Sequence, residues 1–269
     1  MKNNLIGISG KIGSGKDTVG KILQYLNCSP PSLDEINHMI KFITDDIYKI
    51  NLDIASSYQI KKFADKLKDI VCILIGCTRE QLEDREFKET LLSEEWWYWR
   101  SYNDAHSFAY TGQNMDIKYW ELVKTTPRLL LQLIGTECGR QIIHPNIWVN
   151  ALFADYNAIG DNLLEGEVRK VREEDLIYPS WLVTDVRFTN EAKAIKDRGG
   201  VVIRVNRDKF SYQSDLPESA SPIEHAERGK ELHYHPSETS LDDYDFDYVI
   251  DNNSDIPSLV EKVKQLNLV

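Results

Sequence analysis

The amino-acid sequence predicts an α/β fold with a mostly parallel sheet and helices on both of its faces. Short apolar runs typical of buried strands alternate along the chain with segments whose apolar residues recur at helical spacing. A glycine-rich turn lies directly after the first apolar run and before a helical segment. Because ligands of such sheets bind beyond the carboxyl ends of the strands, we expect the functional residues at those ends.

The predicted elements follow one another in strand–helix order. The apolar runs predict strands at residues 5–8, 58–63, 181–184, 201–205 and 248–250, and the helical periodicity predicts helices at residues 16–26, 64–75, 129–134, 147–153, 190–198 and 256–266. The first helix illustrates the pattern, since Val19, Ile22, Leu23 and Leu26 fall on one face. Pro127 suits the first turn of the third helix, where no backbone N–H is needed.

The length allows one large domain or two small ones, because the chain has 269 residues and domains average about 150. We predict a single domain over residues 1–269. A charged and then strongly aromatic stretch predicts an insertion at about 79–126, which contains the Trp-Trp-Tyr-Trp run at residues 96–99. Residues 206–246 are polar and too many for a plain loop, so a lid-like or long connecting segment is expected there.

The composition excludes several classes of protein. Asp and Glu number 43 against 32 Lys and Arg, and the net charge of −11 disfavours sequence-independent binding of a nucleic acid polymer. No apolar stretch approaches the ~20 residues of a membrane span, and no signal peptide is recognisable, so no membrane partner is expected. Four cysteines without a C-x-x-C pair favour a cytoplasmic protein with reduced thiols.

The turn after the first strand has the sequence of a phosphate-binding loop (P-loop). Residues 10–18 match the G-x-x-x-x-G-K pattern between a strand and a helix. Glycines let successive backbone N–H groups face an anion, the helix N-terminus adds partial positive charge, and Lys16 adds a full charge for the β- and γ-phosphates. The residues predicted to bind ATP are Gly10, Lys11, Gly13, Ser14, Gly15, Lys16, Asp17 and Thr18. The alternative is a glycine-rich helix start that binds no ligand.

Two acidic positions are candidates for binding Mg²⁺. Asp17 stands where Ser or Thr normally supplies a hydroxyl, so either Thr18 gives that hydroxyl or Asp17 contacts the metal directly or through water. Asp185 and Arg187 directly follow a later apolar run. Asp185 is predicted to hold Mg²⁺ through water, and Arg187 to offset charge on a transferred phosphoryl group. The alternative is that Asp185 caps a helix and Arg187 is solvated.

Spacing alone does not choose among the other basic residues near predicted strand ends and helix starts. These are Lys66, Arg79, Arg85, Lys88, Arg128, Arg140, Arg204 and Arg207. Arg128 stands out because it lies in the first turn of a very apolar helix. The aromatic run at residues 96–99 would either stack on a base or pack an insertion or an interface, and a homodimer is one assembly that it allows. His233 and His235 are spaced like a metal pair, but no Cys or third His lies nearby in the sequence.

Four stretches together resemble the deoxynucleoside monophosphate kinases of bacteriophages, a branch of the P-loop nucleoside monophosphate kinases. They are residues 10–18, residues 62–68 with 78–79 and 84–86, residues 128–136 with 148–149, and residues 184–191 with 199–205 and 235–238. The G-K-D-T ending of the loop is typical of this branch. The resemblance implies the three-layer P-loop NTPase fold with insertions. It also implies transfer of the γ-phosphoryl group of ATP to a deoxynucleoside 5′-monophosphate, with Mg²⁺ as cofactor.

The resemblance also ranks the candidate residues by role. The catalytic residues that it implies are Lys16, Arg128, Asp185 and Arg187. The residues expected to bind the acceptor substrate are Lys66, Arg85, Arg128, Arg140, Trp148 and Arg187, and those expected to bind the metal are Asp17, Thr18 and Asp185.

Two alternative functions share part of this pattern. The G-K-D segment also suits P-loop kinases for other phosphorylated acceptors, of the phosphomevalonate or dephospho-coenzyme A type. A non-catalytic nucleotide-binding module would keep the loop without turning over a monophosphate. The N-K-x-D sequence that reads guanine in GTPases is missing from the chain, which counts against a GTP-dependent switch.

Overall fold

The computed structural model describes residues 4–28, 56–102, 108–109, 117–158, 176–207 and 236–268. The chain divides into two compact units: Met1–Phe63 with Val149–Val269 form the first, and Ala64–Trp148 the second. The single domain over residues 1–269 and the insertion at about 79–126 stay predictions. Most of the lid-like segment predicted at about 206–246, with His233 and His235, lies outside the described residues.

The described elements follow the order that the sequence predicts, with additional short elements in the second unit. In chain order they are β1 (Leu5–Ser9), α1 (Lys16–Leu26), β2 (Tyr58–Lys61), α2 (Asp65–Ile75), α3 (Arg79–Glu83), α4 (Arg85–Glu89), a 3₁₀ turn (Glu94–Trp96), β3 (Tyr98–Ser101), β4 (Phe108–Ala109), a second 3₁₀ turn (Ile117–Tyr119), β5 (Trp120–Val123), α5 (Pro127–Gln132), a π-helical segment (Leu133–Ile143), α6 (Ile147–Phe153), β6 (Ser180–Val186), α7 (Thr189–Lys196), β7 (Val201–Asn206), α8 (Pro236–Thr239), β8 (Tyr248–Asp251) and α9 (Ile256–Gln265).

The first unit contains a five-stranded parallel sheet in the order β2-β6-β1-β7-β8. The central strand β1 is buried at every residue. Ile6 and Ile8 join the core that α1 and α9 cover, whereas a Cβ on Gly7 would lie 2.6 Å from Ile195 of α7. Because successive strand residues point to opposite faces, helices cover both sides of the sheet. This three-layer arrangement is an α/β P-loop NTPase fold, as predicted.

The second unit combines short helices with a three-stranded antiparallel sheet in the order β4-β3-β5. Helix α5 begins as predicted, with Pro127 in its first turn and the Thr126 hydroxyl accepting the Leu129 N–H at 3.2 Å. On α2 only part of the apolar face is buried. Val71 is fully covered, whereas Ile70 and Leu74 are 41% and 49% exposed.

The aromatic run at residues 96–99 makes contacts inside the second unit. The Trp97 indole donates to the Leu92 carbonyl at 3.0 Å, and Lys124 Nζ lies 5.0 Å from the centre of the Trp97 ring. The Trp96 carbonyl accepts from the Thr125 hydroxyl at 2.6 Å. The Trp97 side chain therefore packs within the second unit.

In the part of the chain that the structure describes, no helix has both the length and the hydrophobicity needed to cross a membrane.

Candidate active site

The loop between β1 and α1 has the backbone conformation of an anion-binding nest. Gly13 and Gly15 have φ values of 73° and 91°, a region that side chains with a Cβ disfavour. A Cβ on Gly10 would lie 2.2 Å from the Ser14 Oγ and 2.8 Å from the Val205 carbonyl oxygen. Glycine is therefore required at these positions, and the loop leads directly into the N-terminus of α1.

Two side chains near the last strand, one after β8 and one before it, support this loop from outside. The Asn252 amide, just after β8, donates to the Ser14 carbonyl at 2.8 Å and lies against Gly15. Asp242 pairs with Lys11 at 3.2 Å. Sequence reasoning missed both residues, because they lie more than 200 positions from the loop and their types are common in turns.

Lys16 is the charged centre of the site. It is 8% exposed, and both burial and the nearby Arg187 charge lower the pKa of its ammonium group, while Asp17, Glu238 and Asp185 act in the opposite direction. These three carboxylates offset the charges of Lys16 and Arg187. Lys16 adjoins the glycine-rich loop at the N-terminus of α1, where backbone N–H groups favour a ligand with negative charge.

Asp17 lies on the first turn of α1 and is held by two partners. Its Oδ1 accepts from Lys62 Nζ at 2.8 Å and from the Thr184 hydroxyl at 3.0 Å. Burial alone would raise the pKa of Asp17, but the charge and hydrogen bond of Lys62, then the Lys16 charge and the Thr184 hydroxyl, lower it below its usual value. Asp17 is thus ionised at neutral pH and tied to the ends of β2 and β6.

Asp185 and Arg187 lie at the carboxyl end of β6, beside the loop strand. The Asp185 Oδ1 accepts the Phe63 N–H at 2.8 Å, and the Arg187 guanidinium pairs with Glu238. The backbone N–H of Arg187 donates to Glu191 Oε2 at 2.8 Å, which fixes the start of α7. Asp185 therefore does not cap that helix, and Arg187 is not simply solvated.

The donor atoms near the loop fit a magnesium ion that is held mainly by its ligand. Within the described ranges, no group of three or more His, Cys, Asp and Glu side chains could hold a metal on its own. Mg²⁺ usually takes one or two protein oxygens and completes its shell with phosphate oxygens and water. Asp17, Thr18 and Asp185 could supply such a partial set, so the residues present are compatible with the predicted cofactor.

The predicted acceptor-binding residues lie in the second unit, apart from Arg187. Arg128, in the first turn of α5, pairs with Glu89 of α4. The pKa of Lys88 is lowered by burial and by the charges of Lys68, Arg128 and Arg85, against the opposing Glu83. Lys88 therefore lies near three other basic residues, and Glu83 pairs with Lys68 at 2.6 Å, so carboxylates already offset part of this positive charge.

The remaining acceptor candidates have less distinct environments. Trp148 is 4% exposed, and its indole N–H donates to the Gly135 carbonyl at 2.8 Å, so it packs the π-helical segment. Lys66 is half-buried in the first turn of α2, and Arg140 is half-buried in the π-helical segment.

The fold and the loop together define the chain as a P-loop protein. No protein-family model matches the chain. The chain is 26% identical over 257 residues to the deoxynucleoside-5′-monophosphate kinase of Escherichia phage T5, an alignment that covers 82% of this chain and 86% of the phage protein. The predicted resemblance to bacteriophage deoxynucleoside monophosphate kinases is thus confirmed over most of the chain.

Proposed function

We propose that the protein is an ATP-dependent deoxynucleoside monophosphate kinase. It transfers the γ-phosphoryl group of ATP to the 5′-phosphate of a deoxynucleoside monophosphate and forms ADP and the diphosphate. The observation that carries the proposal is a P-loop with a buried Lys16, in a chain that aligns over 82% of its length with a kinase of that name. Such a reaction takes place where nucleotides are made, which is the cytoplasm of the host cell for a protein encoded by a bacteriophage.

The chain's own residues would bind and position the donor. The backbone N–H groups of the loop and the Lys16 ammonium group hold the β- and γ-phosphates of ATP. Mg²⁺, when bound through Asp17, Thr18 and Asp185, supplies charge neutralisation on those phosphates. Arg187, at the end of β6, stabilises the negative charge that develops on the transferred group.

Arg85 and Arg128 would bind the acceptor phosphate, with Lys88 adding charge. A phosphate monoester loses its second proton near pH 6, so its attacking oxygen is already ionised at neutral pH and no general base is required. Catalysis then depends on positioning and on charge neutralisation. In the described structure Arg128 is paired with Glu89, so an acceptor phosphate would have to compete with that carboxylate.

The proposal is tested by measuring ADP release from ATP and Mg²⁺ with each deoxynucleoside and ribonucleoside monophosphate as acceptor. Turnover that depends on one or more deoxynucleotides supports it and gives the base specificity. ATP hydrolysis that no monophosphate stimulates would refute it and would favour a nucleotide-binding module. Turnover only with phosphomevalonate or dephospho-coenzyme A would refute the substrate assignment and leave the kinase class standing.

A further inference from the structure

Glu238, which the proposed mechanism does not use, links two parts of the donor site. It lies on the short helix α8, and its side chain is 1% exposed. One carboxylate oxygen, Oε2, accepts the backbone N–H of Ile12 in the P-loop at 2.9 Å. The other, Oε1, pairs with the guanidinium of Arg187. A single buried carboxylate thus contacts both the loop and the arginine at the end of β6.

The segment that carries Glu238 is itself fixed to the first unit. Leu241, three residues further along, is 2% exposed, and the Ser240 carbonyl accepts from the Thr189 hydroxyl of α7 at 3.3 Å. A buried carboxylate is unfavourable unless its oxygens are paired, and here both oxygens have a donor. The energetics therefore favour one arrangement of Glu238 and its two partners.

Arg187 needs such a partner because it lies near Lys16, which carries the same charge. Without Glu238, the Arg187 guanidinium would lose this carboxylate partner and its long side chain would sample more rotamers, although Lys16 would keep Asp17 and Asp185 nearby. Phosphoryl transfer depends on charges that are in place before the reaction starts. A fixed carboxylate behind Arg187 would keep its guanidinium in one position at little cost in entropy.

We propose that Glu238 is a positioning residue that orients Arg187 and the Ile12 end of the P-loop for phosphoryl transfer. The proposal rests on the kinase function and on the role of Arg187 given above. Glu238 is not assigned a contact with either substrate. The part of its effect on turnover that depends on its negative charge should therefore pass through Arg187. This dependence on Arg187 separates positioning from a general contribution to stability.

The first test is the Glu238→Gln variant, which keeps the shape and an oxygen acceptor for Ile12 but removes the charge. We expect kcat to fall about 10- to 100-fold, in line with the cost of a misplaced catalytic group. The KM values for ATP and for the monophosphate should stay within about threefold of wild type, because the variant leaves the substrate contacts in place.

A matched control is the Asp247→Asn variant. Asp247 has the same pattern of partners, with one oxygen accepting the Val202 N–H at 2.8 Å and the other pairing with Lys196 at 2.9 Å, but it lies before β8 and outside the proposed machinery. Its side chain is 26% exposed, so its thermal unfolding midpoint should fall less than that of Glu238→Gln, and its kcat should stay at the wild-type value. An equal loss of kcat in both variants would overturn the positioning role.

The decisive comparison is a double-mutant cycle with Arg187→Ala. If Glu238 acts through Arg187, adding Glu238→Gln to Arg187→Ala should change kcat less than twofold. The double variant lacks both charges of the ion pair. Comparing its kcat with that of Arg187→Ala measures the effect of Glu238→Gln even if the Glu238→Gln single variant does not fold. A further 10-fold loss in the Arg187→Ala background would overturn the proposal.

The outcomes also separate this proposal from the proposed function. Wild-type turnover with an unaffected Glu238→Gln variant overturns the positioning role alone. A wild-type chain that transfers no phosphoryl group to any monophosphate overturns the kinase function and the positioning role with it.

Discussion

A Lys16→Met substitution tests whether the buried ammonium group serves catalysis rather than folding. Methionine keeps the length and apolar stem of the side chain and removes the charge. In the structure Lys16 is 8% exposed, and burial followed by the Arg187 charge lowers its pKa. A lysine whose pKa is lowered by folding destabilises the folded state wherever it is protonated. The variant should therefore unfold at the same temperature as wild type or at a higher one.

Turnover should fall in the same Lys16→Met variant. A charge that contacts the transferred phosphates is worth about 3–5 kcal/mol of transition-state stabilisation, which corresponds to a ~10²–10⁴-fold loss of kcat. The measurements are thermal unfolding without nucleotide and steady-state ADP release with saturating acceptor. Lys193→Met is the control, because Lys193 is 68% exposed and pairs with Asp197 on its own helix. A folded Lys16→Met protein with wild-type turnover would refute the assignment of the loop.

Three further predictions follow from the geometry. Arg128→Ala should raise the KM for the monophosphate about 10- to 100-fold, the equivalent of a lost charged hydrogen bond, with the KM for ATP within twofold; an unchanged monophosphate KM would remove Arg128 from the acceptor site. Gly15→Ala should lower the free energy of unfolding more than Gly199→Ala does. Both glycines have positive φ, but only at Gly15 would a Cβ lie 2.4 Å from the Asn252 amide nitrogen. Equal losses of unfolding free energy would show that this contact is unimportant. The difference in unfolding free energy between wild type and Asp17→Asn should be constant above about pH 5. It should shrink as the pH falls from 3.8, the pKa of Asp17 in the unfolded chain, through the lower pKa that Asp17 has in the folded protein. Chemical denaturation at several pH values measures it, and a difference that persists unchanged to pH 2 would contradict the assigned contacts.

The strands and helices of the first unit could be predicted because burial dominates their sequences. Strand β1 is apolar and fully buried, and α1 has the bounds that its apolar face predicts. The loop between them has a sequence pattern with a direct geometric cause, since glycine is needed at its positive-φ positions. Local sequence is therefore sufficient to predict an element when the element's own residues determine its conformation and it covers one side of the sheet.

The supporting residues could not be predicted, because they depend on contacts between distant segments. Asn252 reaches the P-loop from the last part of the chain, and its neighbours in the sequence give no indication of it. Glu238 lies in a stretch that carries the resemblance, but its contact with Ile12 could not be derived from that stretch. Lys88 is one of several basic residues that spacing cannot separate, because its distinguishing property is the set of charges around it. The apolar spacing of α2 also predicts more buried residues than the structure has. Helical periodicity identifies an apolar face but does not show which of its residues pack against another element.

The central claim is that this P-loop chain transfers a phosphoryl group to a deoxynucleoside monophosphate. The most direct measurement follows the label from γ-³²P-labelled ATP in a single turnover with enzyme, Mg²⁺ and one deoxynucleoside monophosphate at a time. We expect the label in the deoxynucleoside diphosphate, at the rate at which ADP forms, for at least one base. Label that appears only as inorganic phosphate, at a rate independent of the monophosphate, would contradict the account.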